Sequence, residues 1–139
     1  MFYFIEPEVA GGLGEGAVID TAITPPYVSF LEYEFSGWLG DELLEAFPCF
    51  VITQRLARAL TQHQLTGFTL DVAAVKKTEE FKIMHPLIVL PDFLWLKVHG
   101  VVGSSDFGIA QDRRLVVSET ALVILRGYGL NYADVELYP

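Results

Sequence analysis

The chain has 139 residues, 52% of them hydrophobic, with ten Phe, six Tyr and two Trp, enough to bury one core and too apolar for a disordered acidic segment. Its formal net charge is −9, and because no Lys or Arg precedes Arg55, the whole excess belongs to residues 1–54, which carry nine acids. This balance excludes the usual electrostatics of nucleic-acid binding, the apolar runs are too interrupted for a membrane-spanning helix, and the single cysteine, Cys49, excludes an internal disulfide.

Taken in chain order, Phe2-Tyr3-Phe4-Ile5 reads as a short buried strand that Pro7 ends. Met1 to Ala10 holds Glu6 and Glu8 and no basic stretch, so it is not a secretory signal, and a cytoplasmic product is expected. Gly11, Gly12, Gly14 and Gly16 then predict a loop. Leu31, Tyr33 and Phe35 alternate with Glu32 and Glu34, the period-two pattern of a strand with one wet face. Asp41 is placed to cap a short helix running through Phe47, with Leu43, Leu44 and Phe47 on its apolar side and Pro48 as its stop.

Residues 50–72 and 115–137 repeat one grammar at a constant offset of 65. Phe50-Val51-Ile52-Thr53 corresponds to Leu115-Val116-Val117-Ser118: a buried strand running into a hydroxyl residue that can accept a bond from the first free amides of a helix. Leu56, Ala59 and Leu60, and likewise Ala121, Leu122 and Leu125, then form one apolar stripe, and a second strand follows. Either an ancestral duplication or two independently similar units would give this pattern. Gly67, Gly127 and Gly129 lie where the helices must end. Between the copies, Lys76–Phe81 leads into a short helix ending before Pro86, and Phe93–His99 is apolar enough for a central strand. Gly100, Gly103 and Gly108 mark a long loop. The fold class is therefore α+β, a single domain over 1–139 with a mixed or antiparallel sheet, short helices and two similar strand-helix-strand units.

Signals of chemistry are weak. His63, His85 and His99 stand at no metal-ligand spacing, so no metal is expected. Cys49 lies at the start of an apolar strand within the acidic stretch, which raises a thiol pKa rather than activating it, although a partner His could meet it in space. The Gly11–Gly16 loop lacks the Lys-Ser/Thr of a phosphate loop, and Glu15 would meet a phosphate with like charge. Asp106-Phe107-Gly108 matches the kinase metal triplet in a chain too short for that fold.

Two stretches carry a family resemblance: Val116-Val117-Ser118-Glu119 with Ala121, Leu125, Gly129 and Leu130, and Phe47-Pro48-Cys49-Phe50-Val51-Ile52-Thr53 before Arg55-Leu56-Ala57. Together they resemble a bacterial immunity-protein family defined on myxobacterial paralogues and found beside polymorphic toxin genes. The resemblance implies a small α+β cytosolic protein without catalytic residues that blocks a cognate toxin. Many relatives carry paired cysteines that point to a metal, and with Cys49 alone none is expected here.

The expectation is thus an occluding inhibitor with no cofactor and no nucleic-acid or membrane partner. In that reading Glu32, Glu34, Asp41, Glu42 and Glu45 steer it to a basic toxin surface, and Tyr33 or Trp38 supplies an aromatic anchor. The competing expectation is a small-ligand binder or enzyme that uses the Gly11–Gly16 loop. The aromatic content leaves self-association open.

Overall fold

Thirteen strands and three helices make up the computed structural model, which describes residues 1–139. In order they are β1 (Phe2–Glu6), β2 (Gly11–Leu13), β3 (Val18–Asp20), β4 (Tyr27–Phe30), β5 (Glu32–Phe35), β6 (Leu43–Ala46), β7 (Cys49–Thr53), α1 (Gln54–Gln62), β8 (Phe68–Val72), β9 (Ala74–Lys77), α2 (Glu79–Met84), β10 (Phe93–Val98), β11 (Phe107–Ile109), β12 (Leu115–Ser118), α3 (Glu119–Tyr128) and β13 (Asp134–Tyr138). They build two four-stranded sheets, β11-β12-β1-β13 and β6-β7-β10-β8, a three-stranded sheet β2-β5-β9, and the hairpin β3-β4.

The two large sheets share one plan. In each, a strand, a helix and a second strand leave a gap into which a third strand inserts antiparallel to both: β10 between β7 and β8, and β1 between β12 and β13. The register agrees residue by residue. Phe93 faces Thr53 as Phe2 faces Ser118, and Trp95 faces Val51 and Asp71 as Phe4 faces Val116 and Glu136. The 65-residue offset of the sequence therefore describes real geometry over both units. It misses the inserted strands because one is the amino terminus and the other lies far downstream of its unit.

Hydroxyl caps start both long helices, as the sequence predicts. The Thr53 Oγ1 accepts from the Leu56 amide at 3.2 Å, and the Ser118 Oγ from the Ala121 amide at 3.1 Å. Leu56 and Leu60 of α1 and Leu122 and Leu125 of α3 turn into a core shared with Phe50, Ile52 and Leu96 on one side and Ile5, Leu115 and Val117 on the other. The opposite face of β6-β7-β10-β8 carries Leu44, Val51, Phe93 and Trp95, and it is covered by Tyr33 and Phe35 of the small sheet and Leu31 just before it, together with Phe81 of α2. Its central strand β7 is buried on both faces and reads as an unbroken apolar run up to Thr53, whereas the edge strand β8 is largely exposed.

Four sequence expectations are corrected. The stretch Asp41–Phe47 holds a strand, β6 (Leu43–Ala46), and no helix, because Leu43 and Leu44 are both wholly buried on opposite faces of the sheet, an arrangement a pleated strand supplies. Gly11 and Gly12 belong to β2, where the Glu34 carbonyl lies so close that any Cβ on Gly11 would collide with it. The loop expected around Gly108 contains β11. At the end of α1, Gln64, at φ 56°, takes the left-handed position. Gly67 instead lets the backbone of Phe107 pass close by.

Candidate functional site

Three of the nine acids that make the amino-terminal stretch so negative, Glu8, Asp41 and Glu42, are buried structural fasteners. Asp41 is wholly buried, and its two carboxylate oxygens each accept at 2.7 Å from the amides of Asn131 and Tyr132, the turn after α3. Glu42 is buried too and accepts from the Thr53 hydroxyl at 2.5 Å and from the Arg55 guanidinium in a forked pair. Buried Glu8 ties down the strand-to-strand connection through the amides of Leu39 at 2.6 Å and Asp41 at 3.2 Å, and burial holds its pKa above the ordinary carboxylate range. Carboxylates committed in this way are desolvated and bonded within the protein, so their oxygens are not free to pair with a partner.

The second unit uses the same device. Asp106 precedes β11 as Glu42 precedes β6; it accepts from the Ser118 hydroxyl at 2.7 Å and from the Thr66 amide at 2.9 Å. Thr66 in the first unit matches Asn131 in the second at the same 65-residue offset. Each unit thus grips the turn that follows the other unit's helix.

Of the residues expected to face a partner, Asp41 and Glu42 are therefore corrected to internal roles, and so is Tyr33. Its ring is wholly buried and its hydroxyl donates to the Glu45 carbonyl and accepts from the Ala10 amide, both at 3.0 Å; burial pushes the phenol up to about 12. Its place in the period-two pattern already assigned it to the dry face of β5. Trp38 is half-buried against Phe93 and donates its indole N–H to the Asp41 carbonyl at 2.8 Å. Glu32, Glu34 and Glu45 are half-buried. Glu34 pairs with Lys76 at 3.7 Å, and Glu45, raised chiefly by burial and also by Glu6, lies on β6. Trp38 and Glu42 do meet, in a polar cleft of about 230 Å³ with Gln54, Arg55, Arg58 and Asp92.

Glu32 also lies against the glycine loop. Its carboxylate accepts from the Gly16 amide at 3.0 Å and occupies the space where side chains on Gly14 or Gly16 would lie. A phosphate would have to displace this resident anion. The thiol of Cys49 is buried, and burial raises it to about 12, which keeps it protonated at neutral pH. The three histidines are exposed on separate segments.

No protein-family model matches this chain, and no curated protein does. The resemblance to immunity proteins therefore rests on the quoted residues themselves.

One surface feature escaped the sequence reading. From Ile83 to Pro91 the chain runs Ile-Met-His-Pro-Leu-Ile-Val-Leu-Pro, and its extended part alternates. Ile88 and Leu90 turn in against the core, while Leu87 and Val89 are 92% and 87% exposed. Ile83 and Met84, at the end of α2, are exposed as well, because Phe81 alone anchors that helix. The Lys77 ammonium donates to the Ile88 carbonyl at 3.0 Å, fixing the segment beside β9. There Leu90 and half-exposed Val75 line a shallow cleft of about 430 Å³. The signal was present: an apolar run bracketed by Pro86 and Pro91, with more hydrophobic side chains than an extended segment can turn to one face.

Proposed function

We propose that this protein acts by binding another protein, and that it neutralises a cognate basic toxin or effector by covering its working surface in the cytoplasm of the producing cell. The observation that carries the reading is the apolar ledge of Ile83, Met84, Leu87 and Val89, since large aliphatic side chains left mostly exposed along one segment are the ordinary mark of a protein interface. Two further facts support it: the resemblance quoted above and the net charge of −9, which attracts a basic partner at long range even though the buried acids make no contact. In this reading the contact surface shifts from the carboxylates of β5 and β6 to the ledge, whose polar rim holds Glu79, Glu80 and Lys82. Occlusion asks no chemistry of the inhibitor.

The test is co-expression with the product of the adjacent open reading frame, scored by host survival and co-purification. Leu87→Asp with Val89→Asp touches no core residue and should leave the melting temperature unchanged while abolishing both protection and co-purification. Undiminished protection by that double variant would remove the ledge from the interface.

A further inference from the structure

A second cleft, of about 330 Å³, lies between the β3-β4 hairpin and the sheet β6-β7-β10-β8. Its lining is chiefly apolar: Pro25 and Tyr27 from the hairpin side, Trp95 and Val98 of β10, and Ile109 of β11. The charged residues that line it are Lys97 and Arg113, and none of the chain's eighteen acids does so. In a molecule of net charge −9 that is a local inversion of sign. Lys97 is held in place, its ammonium 4.4 Å from the centre of the Trp95 ring and 2.9 Å from the Asp71 carboxylate. Arg113 is different. It is exposed, it sits in the left-handed backbone region at φ 73°, and no carboxylate lies within ion-pairing distance of it, whereas its neighbour Arg114 is held by Asp112 and Glu136.

We propose that this cleft is a binding site for a small amphiphilic anion, a carboxylate with a short apolar tail. The tail would lie along Trp95, Val98 and Ile109, and the head would meet the unpaired guanidinium of Arg113, whose planar fork matches a carboxylate, while Lys97 stays paired with Asp71. Apolar walls with a few converging polar groups are the usual make-up of a small-molecule site. The volume falls at the low end of the roughly 300–1,000 Å³ such sites span, which selects a short tail over a membrane lipid. Neutral and cationic amphiphiles share the tail but gain nothing from the Arg113 guanidinium. The site shares no residue with the ledge, so it neither requires nor excludes the partner-binding reading.

Octanoate, octanol and octylammonium are suitable probes, titrated into the purified protein by calorimetry. Octanoate should bind saturably at one site, with the other two at least about tenfold weaker, the discrimination expected of one charge-assisted contact. Arg113→Asn keeps a residue that tolerates the left-handed backbone, so the melting temperature of the free protein should hold while octanoate affinity falls about tenfold. Tyr27→Asp, at an exposed wall position, should also abolish binding by adding a carboxylate to the cleft. Equal affinity for octanol, unaltered octanoate affinity in Arg113→Asn, or the absence of saturable heat would each overturn the assignment.

Discussion

Glu8 illustrates what a carboxylate costs when it is used as a fastener. Burial raises its pKa above the unperturbed 4.5, partly offset by the amides of Leu39 and Asp41, and Glu45 is raised for the same leading reason. A folded-state pKa above the unfolded one means that the native protein binds more protons between the two values, so stability declines as pH rises through that window. Asp71 and Asp112 act oppositely. The Lys97 ammonium bonded to Asp71, and the Arg114 amide and guanidinium bonded to Asp112, hold them below the usual 3.8, and the stability they contribute is lost as pH falls through the lowered values. The urea midpoint should therefore be highest at about pH 4, above the lowered aspartates and below the raised glutamates, and lower at neutral pH. Glu8→Gln should flatten the neutral limb of that curve while lowering it throughout; a maximum above neutrality would contradict the assignment. At Asp41, replacement by Asn leaves one carbonyl oxygen for two amides and sets an N–H₂ against the second. A loss of about 2 kcal/mol is expected by chemical denaturation.

At the scale of elements, the caps give the clearest expectation. Thr53→Ala and Ser118→Ala each remove a hydroxyl that accepts from a helix amide and donates to an acid of its own unit, and each should cost about 1–2 kcal/mol. Thr53→Ser should restore most of that loss, and a Thr53→Ala variant as stable as the native chain would show that the cap is dispensable. These helices were legible because their signal is local, a hydroxyl residue followed by apolar residues at three- and four-residue spacing. β5 was legible because one of its faces is wetter than the other. β6 was not, since four residues buried on both faces have no period to read, and an acid at the start of an apolar run looks the same whether it caps its own helix or a turn ninety residues away. The same non-locality hid the true roles of Asp41 and Glu42, while Tyr33 could have been excluded from the surface by its own alternation.

For the whole molecule, the reciprocal grips of Asp41 on Asn131 and Asp106 on Thr66 couple the two units, so neither helix-turn can loosen without releasing an acid from the other half. Unfolding should be one cooperative transition, with far-ultraviolet dichroism and tryptophan fluorescence superimposable through a urea titration. Separated midpoints would indicate units that stand alone. The insertion of β1 beside β13 makes a second expectation. Phe2 pairs with Tyr138, which brings the two ends of the chain together, and a short glycine linker between them would reproduce the antiparallel neighbourhood of β8 and β10. A circular permutant reopened between Thr21 and Ala22, in an exposed turn, should reach the native fold with a melting temperature close to that of the parent. Failure of that permutant to fold would mean that the free amino end is needed for β1 to enter its slot.

The layer formed by β2, β5, β9 and α2 covers only one of the two matching sheets, and it comes from two excursions of the chain, between β1 and β6 and between β8 and β10. Both the ledge and the hairpin wall of the anion cleft belong to these excursions. Descendants of this architecture could consequently exchange such appendages, and with them whatever they recognise, while inheriting the paired framework beneath almost untouched.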